Sequence, residues 1–275
     1  MMFSAQFDYN RTFAKRHNVA ATLLGWGYQM QSTADENHES SDYHRTSNVN
    51  LGLRAAYNYD HKYYADFSGA VVHSAKLPEG NRNAFSPSVT LGWRISREDF
   101  FKENVSWVDD LKLTASYANL HQDLDIENYY MYKGYFSKTD GHWVQWHDGT
   151  AGGWTPTSKR GENNDLSFVT RQEFRAGIDA TLFNHLIRLN ANYFRQNTKG
   201  LLTQGASTIY PSYFQLSENN TFLPWINYNE DRRTGFDFAL TANKKFGDFD
   251  ITLGFSGMVS VSYTHLRAHE TTLHL

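Results

Sequence analysis

Cysteine is absent from this chain of 275 residues, which excludes disulfide bonds and thiolate metal sites. Long apolar runs are absent too: no stretch reaches the ~18 consecutive apolar residues that a transmembrane helix needs, and the mean hydropathy is -0.62. The formal net charge of -3 is too small to indicate a nucleic-acid partner. Low hydropathy leaves membrane β-strands open, because only every second residue of such a strand faces lipid.

Aromatic residues and strict alternation are what the sequence has in abundance. Aromatics make up 16% of the chain, with 17 Tyr and 19 Phe, and both types favour strands and membrane interfaces. Period-two patterning predicts β-strands with chemically different faces. The longest example is Pro87–Leu120, whose apolar positions are Val89, Leu91, Trp93 and Ile95, then Leu111, Leu113, Ala115 and Tyr117.

Similar alternation recurs along the chain and predicts about ten strands of ~10 to 14 residues, long enough to cross a bilayer at a tilt. Short turns near residues 15, 60, 184 and 247 alternate with long loops near 31–45, 76–83, 121–165 and 200–230. The link at 97–109 is a moderately long connection on the short-turn side. Turns on one side and loops on the other are typical of an outer-membrane barrel, with its turns in the periplasm.

The predicted fold class is therefore all-β, an antiparallel meander that forms part of a transmembrane β-barrel in the bacterial outer membrane. The polar side of its strands carries basic residues, which in a wide barrel would line a wet lumen. A soluble all-β carbohydrate-binding or carbohydrate-cleaving domain and a non-transporting structural barrel remain alternatives. The lumen-facing candidates are Arg54, Arg94, Lys112, Arg175 and Arg188.

No nucleophile elbow, Walker loop or dinucleotide-binding fingerprint is present, so we expect no enzyme, no catalytic residues and no cofactor. His265 and His269 have helical metal-ligand spacing, but the order with Glu270 is not that of a zinc protease, and no metal site is predicted. Aromatic residues crowd the loop 121–165, where flat rings could stack on sugar rings or pack the loop against itself. The substrate-contact candidates are Trp143, Trp146, Trp154 and Tyr132.

Four stretches resemble the SusC/RagA family of TonB-dependent outer-membrane transporters of Bacteroidetes: Pro78–Lys102, Trp107–Tyr117, Glu173–Leu202 and Arg232–Asp250. The resemblance implies a 22-stranded barrel with an N-terminal plug. It also implies import of glycans or peptides, a SusD-like surface lipoprotein as lid, and energy from the TonB complex. We expect residues 1–260 to be a partial barrel that lacks the plug, the TonB box and roughly half of the strands.

The last residues of the chain depart from this pattern. From about Val261 the alternation stops, and three of the 12 His fall within ten residues. This segment resembles a translated sequencing-adapter tail, so residues 261–275 are predicted to be non-native sequence.

Overall fold

The computed structural model of the chain describes residues 1–32, 44–123, 126, 129–138, 141–145, 149, 152–204, 210–211, 215–217 and 220–265. Strands dominate these residues. No helix among them is long and apolar enough to cross a membrane.

Ten long strands form a single sheet in which the neighbours in space are also neighbours along the chain. Every neighbouring pair is antiparallel, which confirms the predicted meander. The described strands do not form the two packed sheets of a sandwich. The ten strands, in order, are β1 (Met2–Phe13), β2 (His17–Ser32), β3 (His44–Tyr59), β4 (Tyr63–His73), β5 (Asn83–Arg94), β6 (Val108–Gln122), β11 (Val169–Leu182), β12 (Ile187–Gln204), β15 (Trp225–Phe246) and β16 (Phe249–His265).

Six short strands lie in the long loops and pair in three separate two-stranded sheets, β7 with β10, β8 with β9, and β13 with β14. They are β7 (Tyr135–Ser137), β8 (Trp143–Gln145), β9 (Gly152–Trp154), β10 (Thr157–Arg160), β13 (Gln215–Ser217) and β14 (Asn220–Thr221).

The short turns lie where the sequence predicts them, on one side of the sheet. Each uses left-handed backbone, which matches the twist of the flanking strands. At the turn between β3 and β4, Asp60 and His61 have φ of 51° and 53°, and the Asn58 side chain accepts a hydrogen bond of 2.8 Å from the backbone N–H of His61.

The moderately long connection predicted between β5 and β6 contains two short helical segments. Strand β5 ends at Arg94, and a 3-10 turn (Ile95–Arg97) is followed by helix α1 (Asp99–Asn104). The alternation predicts that Ile95 continues the apolar stripe of the strand, but the strand ends one residue before it. Asp99 in the first turn and Lys102 in the last turn suit the helix dipole and favour this short helix.

The predicted loop 200–230 is shorter than expected because its flanking strands continue into it. Strand β12 runs to Gln204 and β15 starts at Trp225. The register shifts around Leu201, and Gly200 has a φ of 74°, a conformation that glycine adopts without strain. The alternation is lost at this bulge, which is why the sequence pattern does not reveal the extension.

The main buried cluster lies under the long loops, against the loop-side ends of the strands. Leu77, Ile126 and Leu166 are completely buried. Four partly buried residues at the loop-side ends of strands pack against this cluster: Val72, Ala84, Leu202 and Trp225. The complete core cluster is Leu77, Ile126, Met131, Tyr132, Leu166 and Phe168.

Candidate functional site

The five predicted lumen residues share one face of the sheet. Residues directly opposite each other on antiparallel strands point to the same side, and so do residues two apart on one strand. Arg94 stands opposite Lys112, and Arg175 stands opposite Ser116, four residues from Lys112 on the same strand. Ser68 stands opposite both Arg54 and Ser88, and Ser88 lies on the same face of β5 as Arg94. Thr181 stands opposite both Arg188 and Asp110, and Asp110 lies two residues from Lys112 on β6.

This polar face carries a network of ion pairs and amide hydrogen bonds. Arg54 Nε donates to Asp66 at 2.9 Å, and Arg175 donates to Asp237 at 2.8 Å. Asn192 donates to the other oxygen of Asp237 at 2.6 Å. Because Arg54 is 64% exposed, such pairs contribute little stability. The network indicates a face in contact with water.

The remaining predicted lumen residues fit the same description. Arg94 Nε lies 3.3 Å from Asp110. The Lys112 ammonium lies 4.3 Å from the centre of the Tyr64 ring, close enough for a cation–π contact. Arg188 is exposed on the same face. The placement of these side chains in a lumen stays a prediction, since the described strands form an open sheet.

The opposite face is apolar and uncovered by any described segment. Val49 is 63% exposed, Leu91 is 55% exposed and Leu253 is 69% exposed, and all three belong to this face. Contiguous apolar surface of this extent is rare on soluble monomers and marks contact with a membrane or a partner. An outward apolar band with a polar interior is the arrangement of an outer-membrane barrel.

The long loops form an ordered layer that we call the loop cap, made of residues 74–82, Asp123, Ile126, 129–138, 157–168 and 220–227. Hydrogen bonds between distant loop segments hold it together. Asn81 Nδ2 donates to the carbonyl of Leu166 at 3.1 Å, and Asn163 Nδ2 donates to the carbonyl of Trp225 at 2.7 Å. Ser158 Oγ donates to the carbonyl of Thr221 at 2.8 Å.

Three of the four predicted substrate-contact residues lie in the described part of the chain, and they differ in exposure. Trp143 and Trp154 lie directly opposite each other on β8 and β9, with ring centres 5.7 Å apart at 73°. Each is 56% exposed. Tyr132 is only 6% exposed because it belongs to the core of the loop cap, so its ring packs the loop. Trp146 lies outside the described residues.

The two-tryptophan hairpin is the part of this site that sequence reasoning did not resolve. Gly152 allows the close pairing, because a Cβ at this position would come within 2.5 Å of the Trp143 ring. The signal that could have identified the hairpin is the pair of glycines, Gly152 and Gly153, directly before Trp154.

On the short-turn side, Glu98 joins the connection between β5 and β6 to the start of β4. Its carboxylate accepts hydrogen bonds from Tyr63 Oη at 2.6 Å, Trp93 Nε1 at 3.1 Å and Lys62 Nζ at 3.1 Å. The hydrogen bond from Tyr63, followed by those from Trp93 and Lys62, lowers the pKa of Glu98 from 4.5 to about 2. The carboxylate is thus a structural clamp between neighbouring connections.

A Glu98→Gln variant of the full-length protein should show how this clamp depends on pH. Because the pKa of Glu98 is lowered in the folded state, its stabilising effect is complete above the unfolded pKa of 4.5 and is lost as the pH falls through about 2. The melting temperature should therefore drop in Glu98→Gln by a constant amount above about pH 5, and the difference should shrink in stronger acid. Thermal unfolding followed across pH measures this difference.

Asp99→Asn is the matched control, because the Asp99 side chain is 87% exposed and should contribute little at any pH. A wild-type advantage that already disappears between about pH 6 and pH 5 would contradict the lowered pKa.

Two minor predictions concern histidines and the chain end. Among the described residues no cluster of three or more His, Asp or Glu side chains could hold a metal ion, while His269 and Glu270 lie outside those residues. Strand β16 runs to His265 and pairs with β15 beyond residue 260. A non-native tail that follows a strand can extend it, so the boundary at 261 stays a prediction.

The sheet has a wet ionic face and a bare apolar face, with short turns at one end of its strands and capped loops at the other. This geometry defines a class of protein, because a wall of this kind is part of an outer-membrane β-barrel. A family model described as "TonB dependent receptor-like, beta-barrel" matches residues 3–273, and the chain belongs to that family. The family comprises receptors that act in transport rather than enzymes.

Relatives and solved structures agree with this assignment. TonB-dependent receptor P39 of Formosa agariphila is 26% identical over 222 residues, which cover 71% of this chain and 20% of that protein. TonB-dependent receptor P3 of the same organism is 26% identical over 259 residues, which cover 85% of this chain and 24% of that protein. The chain thus spans about a quarter or less of the length of these relatives.

The RagAB peptide importer in its closed-closed state matches with a TM-score of 0.71 at 18% identity, over 96% of this chain and 30% of that chain. The siderophore receptor PirA from Pseudomonas aeruginosa matches with a TM-score of 0.57 at 12% identity, over 94% of this chain and 42% of that chain. The fold is therefore shared with both a peptide importer and a siderophore receptor. The resemblance to SusC/RagA is confirmed at the level of the family.

Proposed function

We propose that this chain forms part of the barrel wall and the loop cap of an active importer that takes up glycans across the outer membrane. The observation that carries the proposal is the exposed Trp143–Trp154 pair, held on the long-loop side by an ordered hairpin. Two large rings at a steep angle offer an apolar surface against which a sugar ring can bury its apolar face. The face with Arg54, Arg94, Lys112, Arg175 and Arg188 would line the route of the cargo.

The partners follow from the resemblance to SusC/RagA. We propose that a SusD-like surface lipoprotein covers the loop cap and that the TonB complex supplies energy through parts of a longer chain. Because the cap has its own buried core, it offers a lid a preformed surface rather than flexible loops. A peptide cargo is the second candidate, because the similar RagAB structure is described as a peptide importer.

Replacing both tryptophans with alanine in the full-length transporter should weaken binding of an oligosaccharide cargo by roughly tenfold or more, since buried aromatic contacts dominate many binding interfaces. Binding is measured by isothermal calorimetry against a panel of oligosaccharides and a panel of peptides, with uptake by cells as a second readout.

Val144→Ala is the matched control, because Val144 lies on the same hairpin and is 51% exposed. Loss of peptide binding alone would replace the glycan assignment with a peptide one. Unchanged binding of both panels in the Trp143→Ala/Trp154→Ala variant would remove this hairpin from the cargo site.

A further inference from the structure

The apolar face of the sheet contains a groove between β12, β15 and β16, with a volume of about 710 Å³. This size falls within the range of ~300–1,000 Å³ that is usual for sites of small ligands. Its floor is made by Tyr193, Phe236 and Val259, which lie in one row across the three strands. The groove opens on the side that faces lipid, so water-soluble cargo does not reach it.

The chemistry of this face changes abruptly at the loop-side end of the groove. The apolar band ends in two aromatic pairs on four neighbouring strands: Tyr117 stands opposite Phe174, and Tyr193 stands opposite Phe236 two residues further from the long loops. Aromatic residues in this position mark the headgroup level of a bilayer. Toward the long loops the same face then carries Arg195 and Arg232, and both line the groove. The groove therefore joins an apolar floor to a cationic rim at headgroup depth.

The two arginines are diagonal neighbours. Arg195 stands opposite Thr234, and Arg232 lies two residues from Thr234 on the same face. Their Cα atoms are therefore about 7–8 Å apart, a distance that two long side chains can close onto one group.

Neither arginine forms an ion pair with a carboxylate within the described part of the chain, and Glu230 lies two residues from Arg232 on the same face. Both side chains are exposed, and Arg232 Nε donates to the neutral Asn197 Oδ1 at 3.1 Å. Lys199, four residues beyond Arg195 on β12, stands directly opposite Glu230. Two adjacent cations without a facing carboxylate repel each other, and an anion placed between them removes that cost.

We propose that this groove binds a phosphorylated lipid of the outer leaflet, with an acyl chain along Tyr193, Phe236 and Val259 and a phosphate between Arg195 and Arg232. Guanidinium groups bind phosphate oxygens through paired hydrogen bonds, and these are stronger than bonds between neutral groups. The apolar floor supplies a second contribution that a free phosphate ion cannot use. The site thus lies on the outside of the wall and is separate from the route of the cargo.

The full-length transporter, purified in detergent and stripped of native lipid, provides the test by native mass spectrometry. Bisphosphorylated lipid A should add back as a single bound molecule. The Arg195→Gln/Arg232→Gln variant should bind it roughly thirtyfold more weakly, as expected for two basic groups at a membrane surface. Val259→Trp, which keeps both cations and fills the floor, should also lose the bound lipid. Val259 is 70% exposed, so this change leaves the fold intact.

Lys244→Gln is the matched control, since Lys244 lies on the same face of β15 at the opposite end of the strand. It should bind lipid A as the wild type does. Equal retention of dephosphorylated lipid A would overturn the proposal, and so would equal affinity for inorganic phosphate alone. A homodimer that occupies the groove and disperses in Val259→Trp would assign the surface to a second copy instead.

Discussion

Residues 1–260 expressed alone should fail to give a stable soluble monomer. The sheet ends at β1 and β16, and the outer edges of these two strands pair with no other described strand. Unpaired backbone groups at such edges recruit other chains, and the bilayer core does not satisfy them. The apolar face adds exposed side chains such as Phe249 at 75% and Leu253 at 69%. Size-exclusion chromatography and sedimentation without detergent should show nearly all of the protein as aggregate.

The control is the same ten strands within the full-length transporter, where we expect further strands to pair with both edges. That protein should be extracted from the outer membrane as a folded species. A monodisperse monomer of residues 1–260 in water would contradict the barrel-wall interpretation, because the apolar face would then have to be covered by this chain itself.

Replacing Leu166 with alanine should loosen the loop cap without unfolding the wall. Leu166 is completely buried in the cap core, and its carbonyl accepts the hydrogen bond from Asn81. Loss of a buried leucine side chain typically costs about 2–5 kcal/mol. Hydrogen exchange in residues 74–82 and 157–168 should therefore accelerate by roughly thirtyfold or more, while strands β3 and β4 keep their protection.

Val144→Ala serves as the comparison, because it removes a similar apolar side chain from a loop position that is 51% exposed. It should leave exchange in the cap unchanged. If Leu166→Ala also leaves exchange unchanged, the cap is not a cooperative unit, and a lid could not rely on a preformed surface there.

The strands and turns were predictable from the sequence because each depends on neighbours within the chain. Alternation places Leu91 and Trp93 on one face whatever the partner strand is, and the Asp60–His61 turn follows from its residues. The polar face was predictable for the same reason, because Lys112 and Arg175 each lie on the polar side of their own strand's alternation. The Gly200 bulge and helix α1 were missed, because both break the period on which the prediction rests.

The loop cap was decided only by tertiary structure. Its contacts join residues that are far apart in sequence, such as Ser158 and Thr221, and no local sequence pattern predicts such a pair. Among the loop aromatics, the sequence could not distinguish the buried Tyr132 from the exposed Trp143, since both are large apolar residues in a polar loop.

The sequence by itself determined an all-β meander with one apolar face, one ionic face and loops sorted to one side, because these features repeat every two residues or lie at the turns. Only the tertiary structure placed Arg195 beside Arg232 and Trp143 opposite Trp154. Both pairs come from different strands, and their meeting depends on register, which is set by long-range pairing and bulges rather than by any short stretch of the chain.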